Sequence, residues 1–157
     1  MLAALFAAAT VVSAPLQADE MTRNVVMTVC LPFVAGENSR PAAEALGFVV
    51  ASEEGNVVSL VSSDEQQAYI LRLTADDGAD DGDVVHTCLL QARRINFGAG
   101  RGAIRRPLEE AGFVSERMSA ENRMLWTRGG VSVSLRQNTG QATVVRVSYS
   151  SVEAEGN

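Results

Sequence analysis

Apolar positions along this chain change their period several times, and each change predicts an element. Val26, Val29, Cys30, Phe33 and Val34 fit one stripe of a helix, with Thr22 as a candidate cap. The same stretch, 24–34, is rich in β-branched residues, so a strand reading stands beside the helical one. A short helix through Pro41, Ala42, Ala43 and Leu46 follows, capped by Ser39 and stopped at Gly47. From Phe48 the period becomes two. Runs 48–51, 57–61 and 69–73, with Glu54-Gly55-Asn56 at the first turn, read as a three-stranded antiparallel meander.

Residues 84–90 read as a further strand, carrying His86 and Cys88. A glycine-rich loop (Gly98, Gly100, Gly102) and a short helix closing on Ala111-Gly112-Phe113 come next. Runs 123–128 and 131–135 flank Gly129-Gly130, a strong hairpin signal, and 142–149 follows the turn at Asn138-Thr139-Gly140-Gln141. These three runs predict a second three-stranded meander. The polar tail from Ser150 is expected to fray. The fold class is therefore α+β: two three-stranded antiparallel meanders with short helices on one face.

The two halves share wording. Val25-Val26-Met27-Thr28-Val29-Cys30-Leu31 echoes Val84-Val85-His86-Thr87-Cys88-Leu89. Glu44-Ala45-Leu46-Gly47-Phe48-Val49 echoes Glu109-Glu110-Ala111-Gly112-Phe113-Val114. One reading is duplication of a helix-then-sheet unit, with repeats 22–75 and 83–149. The other is convergence, because Gly-Phe after a helix is a common cap with a hydrophobic contact. Under duplication Cys30 and Cys88 hold equivalent places and bridge the halves.

The uncharged apolar start, Met1 to Val12, then small residues and Asp19-Glu20, reads as a secretory signal peptide over 1–18. Residues 19–157 then form a single domain. The apolar run is too short and too Ala-rich for a membrane span, so no transmembrane span is expected in the mature chain. A periplasmic or secreted location follows. Two cysteines in an exported chain point to one disulfide, Cys30–Cys88, closing a loop of about 58 residues. The formal net charge is −6, with 13 basic residues, every one an arginine. That balance argues against nucleic acid as a partner.

Candidate chemistry is sparse. Asp76 to Asp83 holds five aspartates between glycines, but Ala79 and Cys88 fall where a helix-loop-helix calcium site needs ligands. A solvated acidic loop is the better reading, and no metal or cofactor is expected. Gly98-Ala99-Gly100-Arg101-Gly102-Ala103 satisfies a dinucleotide-loop pattern, yet antiparallel hairpins surround it instead of a βαβ unit. Arg93, Arg94, Arg101, Arg105 and Arg106 form a cluster of positive charge, a candidate anion or partner patch. The single histidine, His86, shares a strand face with Cys88, and no other catalytic constellation is present, so an enzyme is not expected.

The run Val29-Cys30-Leu31-Pro32-Phe33-Val34-Ala35-Gly36-Glu37, with Ala45-Leu46-Gly47-Phe48 and Thr87-Cys88, resembles small exported bacterial proteins of unknown function. The resemblance implies an exported α+β domain with one disulfide and brings no catalytic residue. The resulting expectation is an exported, non-enzymatic binding module, its partner unknown or an envelope protein. A structural or envelope-assembly component is the alternative, and a thiol-dependent or hydrolytic enzyme ranks last.

Overall fold

Helix α1, over residues 18–34, joins α-helical Ala18–Asn24, a π-helical stretch Val25–Cys30 and α-helical Leu31–Val34. The computed structural model describes residues 17–78, 82–118 and 120–155, so most of the expected leader lies outside the described residues. The helical stripe is the buried one, with Val25, Val26, Val29, Cys30 and Val34 in the core. Thr22 does not cap; it lies inside the helix, its hydroxyl donating to the Ala18 carbonyl at 2.9 Å. Pro32 explains the local geometry. Its ring would crowd the carbonyl four residues back in an α-helix. The Leu31 N–H instead reaches back five residues to Val26, and that widened turn precedes the proline.

Helix α2, Arg40–Ala45, begins after Ser39, whose hydroxyl makes no capping bond. Gly47 ends it in the left-handed region, φ +87°. Strands β1 (Phe48–Glu54), β2 (Val57–Ser62), β3 (Tyr69–Asp76) and β4 (Val85–Ala92) then run in succession. Helix α3, Phe97–Glu110, leads into β5 (Val114–Arg117), β6 (Arg123–Arg128), β7 (Val131–Arg136) and β8 (Thr143–Ser150). A short α4, Ser151–Glu155, follows.

The two expected three-stranded meanders are replaced by one eight-stranded antiparallel sheet, in the order β1-β2-β3-β4-β8-β7-β6-β5. The runs foreseen as meanders are there, but each gains a strand. β4 pairs with β3 along its whole length, and β5, a run too short to show a period, edges the far side. The fusion happens at β4 and β8, which pair from Val85↔Ser150 to Ala92↔Thr143. Alternation along a strand fixes which face is buried, not which neighbour it takes. Each half thus reads helix, then four strands, and the halves meet at their fourth strands.

The second echo in the sequence falls at matching places: Gly47 and Gly112 each follow a helix, with φ +87° and +86°, ahead of Phe48 and Phe113. The first echo does not, since residues 25–31 are helical and 84–90 enter a strand. Cys30 and Cys88 are bonded, with Cα atoms 5.2 Å apart. The bridge ties α1 to β4, which both belong to the first helix-and-four-strands unit of the sheet.

Glycines 98, 100 and 102 lie in α3 and not in a loop. Asn96 caps that helix, its Oδ1 accepting from the Ala99 N–H at 2.9 Å. Gly100 is buried where a Cβ would meet Thr143 Cγ2 at 3.3 Å and Leu135 Cδ1 at 3.4 Å, so the helix rides close to the sheet. Helices α1, α2 and α3 all cover one sheet face, over Phe48, Leu60, Leu71, Leu90, Trp126, Val133 and Val145. The tail expected to fray holds α4. Asp83 accepts from the Ser150 and Ser151 hydroxyls and the Val152 N–H, and so caps it.

Candidate functional site

Covering one sheet face with helices leaves the other bare, and side-chain alternation decides what stands there. Leu71, Leu73, Leu90, Cys88, Val145, Val147, Val133 and Leu135 point to the helices. Their strand neighbours point away: Arg72 and Thr74 from β3, Thr87 and Leu89 from β4, Arg146 from β8, Ser134 and Arg136 from β7, Arg123 and Leu125 from β6. With Met118 these residues line a shallow groove of about 360 Å³.

The pairing registers place the charges. One row across the sheet reads Arg72, Leu89, Arg146, Ser134, Leu125. In the neighbouring row Arg123 stands directly opposite Arg136. Like charges facing each other across a ladder are destabilising. Among the described residues, none of these four arginines has an ion-pair partner. Arg23, Arg40, Arg105 and Arg106, by contrast, each hold a glutamate within 3.8 Å. The carboxylates of the open face, Glu54, Asp76 and Glu116, stand at its margins by the same alternation. The floor between the arginines is made of hydroxyls and aliphatic groups. Ser132 and Ser148 lie Oγ to Oγ at 3.0 Å beside the groove.

The cluster foreseen from sequence is dispersed. Arg105 and Arg106 lie on α3 and pair within the helix, with Glu109 at 3.1 Å and Glu110 at 2.7 Å. The Glu110 hydrogen bond and charge hold the Arg106 guanidinium above its ordinary pKa. Arg101 is exposed on the same helix. Arg93 and Arg94 follow β4, and Arg94 opens toward a different groove, beside Asp64 and Tyr69. These five side chains do not share a cavity.

Other sequence candidates resolve as follows. Gly98 to Ala103 is helical, so it offers no loop of free N–H groups to a pyrophosphate. Cys88 is in the disulfide, and among the described residues no cysteine is free. The His86 ring packs on Phe33 with centroids 5.8 Å apart, and its Nδ1 is buried without a hydrogen-bond partner. Part of the acidic loop, 79–81, lies outside the described residues. Asp83 has its carboxyl held below the usual range, first by the Ser151 hydroxyl and then by the Val152 N–H. Among the described residues no group of three or more metal-ligating side chains gathers.

The open-face arginines were missed because they are scattered singly, at 72, 123, 136 and 146, over 75 positions of chain. A signal was present. Each sits at a position opposite in parity to the fully buried apolar residues of its strand, Leu71, Trp126, Leu135 and Val145. No protein-family model, curated protein or solved structure matches this chain.

Proposed function

We propose that this protein is an exported, non-enzymatic binding module whose working surface is the helix-free face of the sheet, and that the surface takes an anionic ligand or partner. One observation carries the reading: four exposed arginines share that face without carboxylate partners, in a chain whose net charge is −6. An acidic protein has ample glutamate to neutralise them, and does so for Arg23, Arg40, Arg105 and Arg106 of its helices. Leaving four unpaired in one groove costs stability and favours a ligand that supplies the missing charge. The Cys30–Cys88 disulfide supports an oxidising compartment, and no helix among the described residues is long and apolar enough to cross a membrane.

Tripolyphosphate, a multivalent anion with no apolar part, tests the face. Titrated into ¹⁵N-labelled protein, it should shift amides on β3, β4, β8, β7 and β6 around Arg72, Leu89 and Arg146. The shifts should vanish in Arg136→Gln with Arg146→Gln. Shifts centred on Arg101, Arg105 and Arg106 of α3 would overturn the assignment. Intact mass from the native host, with and without reduction before alkylation, checks export. A chain starting near Asp19 with no free thiol is the expected result.

A further inference from the structure

We infer that the occupant of this face is an acidic protein segment in which Asp or Glu side chains alternate with aliphatic ones. The inference rests on the anion-binding reading above and goes further by naming the partner's chemistry. Three observations select it. The first is spread. From Arg72 on β3 to Arg123 on β6 there are four inter-strand steps, roughly 19 Å at ordinary sheet spacing. One phosphate or carboxylate is satisfied by one or two guanidinium forks. Four forks over that span call for several anionic groups joined in a chain.

The second is what lies between the charges. Leu89 separates Arg72 from Arg146, and Leu125 and Met118 flank the groove, Met118 being 40% exposed. A pure polyanion leaves these aliphatic groups in water, whereas a segment with Leu, Ile or Val between its acids covers them. The third is the lack of rings. Phe48, Tyr69, Phe113, Trp126 and Tyr149 all belong to the helix-covered side or pack against its core. Among the described residues no aromatic side chain stands on the open face, so it offers no platform for stacking a nucleobase or a sugar ring.

The test uses the full mature chain with its disulfide intact. A fluorescein-labelled peptide of alternating Glu and Leu is titrated at 20 mM and at 500 mM salt. A matched Arg–Leu peptide, tripolyphosphate and phosphatidylglycerol vesicles run alongside, and sedimentation reports the oligomeric state of the free protein. The Glu–Leu peptide should bind with a dissociation constant of order 10–100 μM at low salt. It should bind at least about tenfold more tightly than tripolyphosphate and weaken at high salt. Arg72→Gln with Arg146→Gln, and separately Arg123→Gln with Arg136→Gln, should each weaken it about tenfold or more. Arg105→Gln with Arg106→Gln, on α3 over the opposite side of the sheet, should change it less than twofold.

Tripolyphosphate binding as well as the peptide, with the same arginine dependence, overturns the acidic-segment inference and keeps the anion face. Vesicle binding lost in the arginine variants, or a dimer that those variants dissociate, overturns it in the same way and names a lipid surface or a second copy as occupant. Binding of the Glu–Leu peptide or of tripolyphosphate that ignores all four arginines overturns both readings.

Discussion

Arg123 and Arg136 face each other across the β6–β7 ladder, so their charges oppose folding as long as nothing bridges them. Arg136→Thr, a good strand former, should stabilise the free protein by about 0.5 kcal/mol at low salt. The gain should shrink in 500 mM salt, where surface charges are screened. Urea denaturation at the two salt levels reads both effects. A loss of stability on substitution would mean that an unseen partner group already compensates the pair. The same scale separates the glycines of α3. A Cβ at Gly102 would meet nothing within 4 Å, so Gly102→Ala should stabilise by about 1 kcal/mol through helix propensity. At Gly100 the new methyl would press on Thr143 and Leu135, both fully buried, so Gly100→Ala should rank below Gly102→Ala by more than about 1 kcal/mol. Thermal unfolding of the two variants side by side decides it.

The short α4 shows how an element is held by contacts remote in sequence. It is capped by Asp83 and lies against Gly130, where a Cβ would come within 2.6 Å of Ala154 Cβ and 2.7 Å of the Ser150 carbonyl oxygen. The Asp83 carboxyl titrates below its ordinary value in the folded state, because the Ser151 hydroxyl and the Val152 N–H stabilise the ionised form. A depressed carboxyl contributes its stability above the unfolded pKa, about 3.9, and loses it as pH falls through the folded value. The Val152 amide resonance should therefore move in acid at a lower pH than an ordinary aspartate titrates. Asp83→Ala should release α4 at every pH and remove that transition. Gly130→Ala should displace α4 as well, through overlap and not charge, leaving no acid dependence to recover.

For the whole molecule the decisive joints are the β4–β8 seam and the Cys30–Cys88 bridge. A bridge across a separation of 58 residues removes about 4 kcal/mol of unfolded-chain entropy in the chain-entropy treatment. Cys30→Ser with Cys88→Ser should therefore lower stability by about 2–4 kcal/mol, read from urea midpoints, with protection lost earliest in α1. A change under about 0.5 kcal/mol would show that the α1 stripe of Val25, Val26 and Val29 holds the helix on the sheet unaided.

The residues of this chain determined most elements by themselves, because each is written in local chemistry. Gly55-Asn56 and Gly129-Gly130 made two hairpins, alternation made six of the eight strands, and Gly47 ended a helix. The pairing of two lone cysteines was also legible, since in a chain expected to be exported two cysteines most simply form a disulfide. Other features came only from tertiary structure. Glycines 98, 100 and 102 read as a loop by propensity, but an Asn96 cap and close approach to Thr143 and Leu135 made them helical. The meeting of β4 with β8 was invisible, because a period of two names a buried face and no neighbour. The proposed binding face follows from that meeting. Arg72 belongs to one half and Arg123, Arg136 and Arg146 to the other, and only the continuous eight-stranded sheet sets them in one groove.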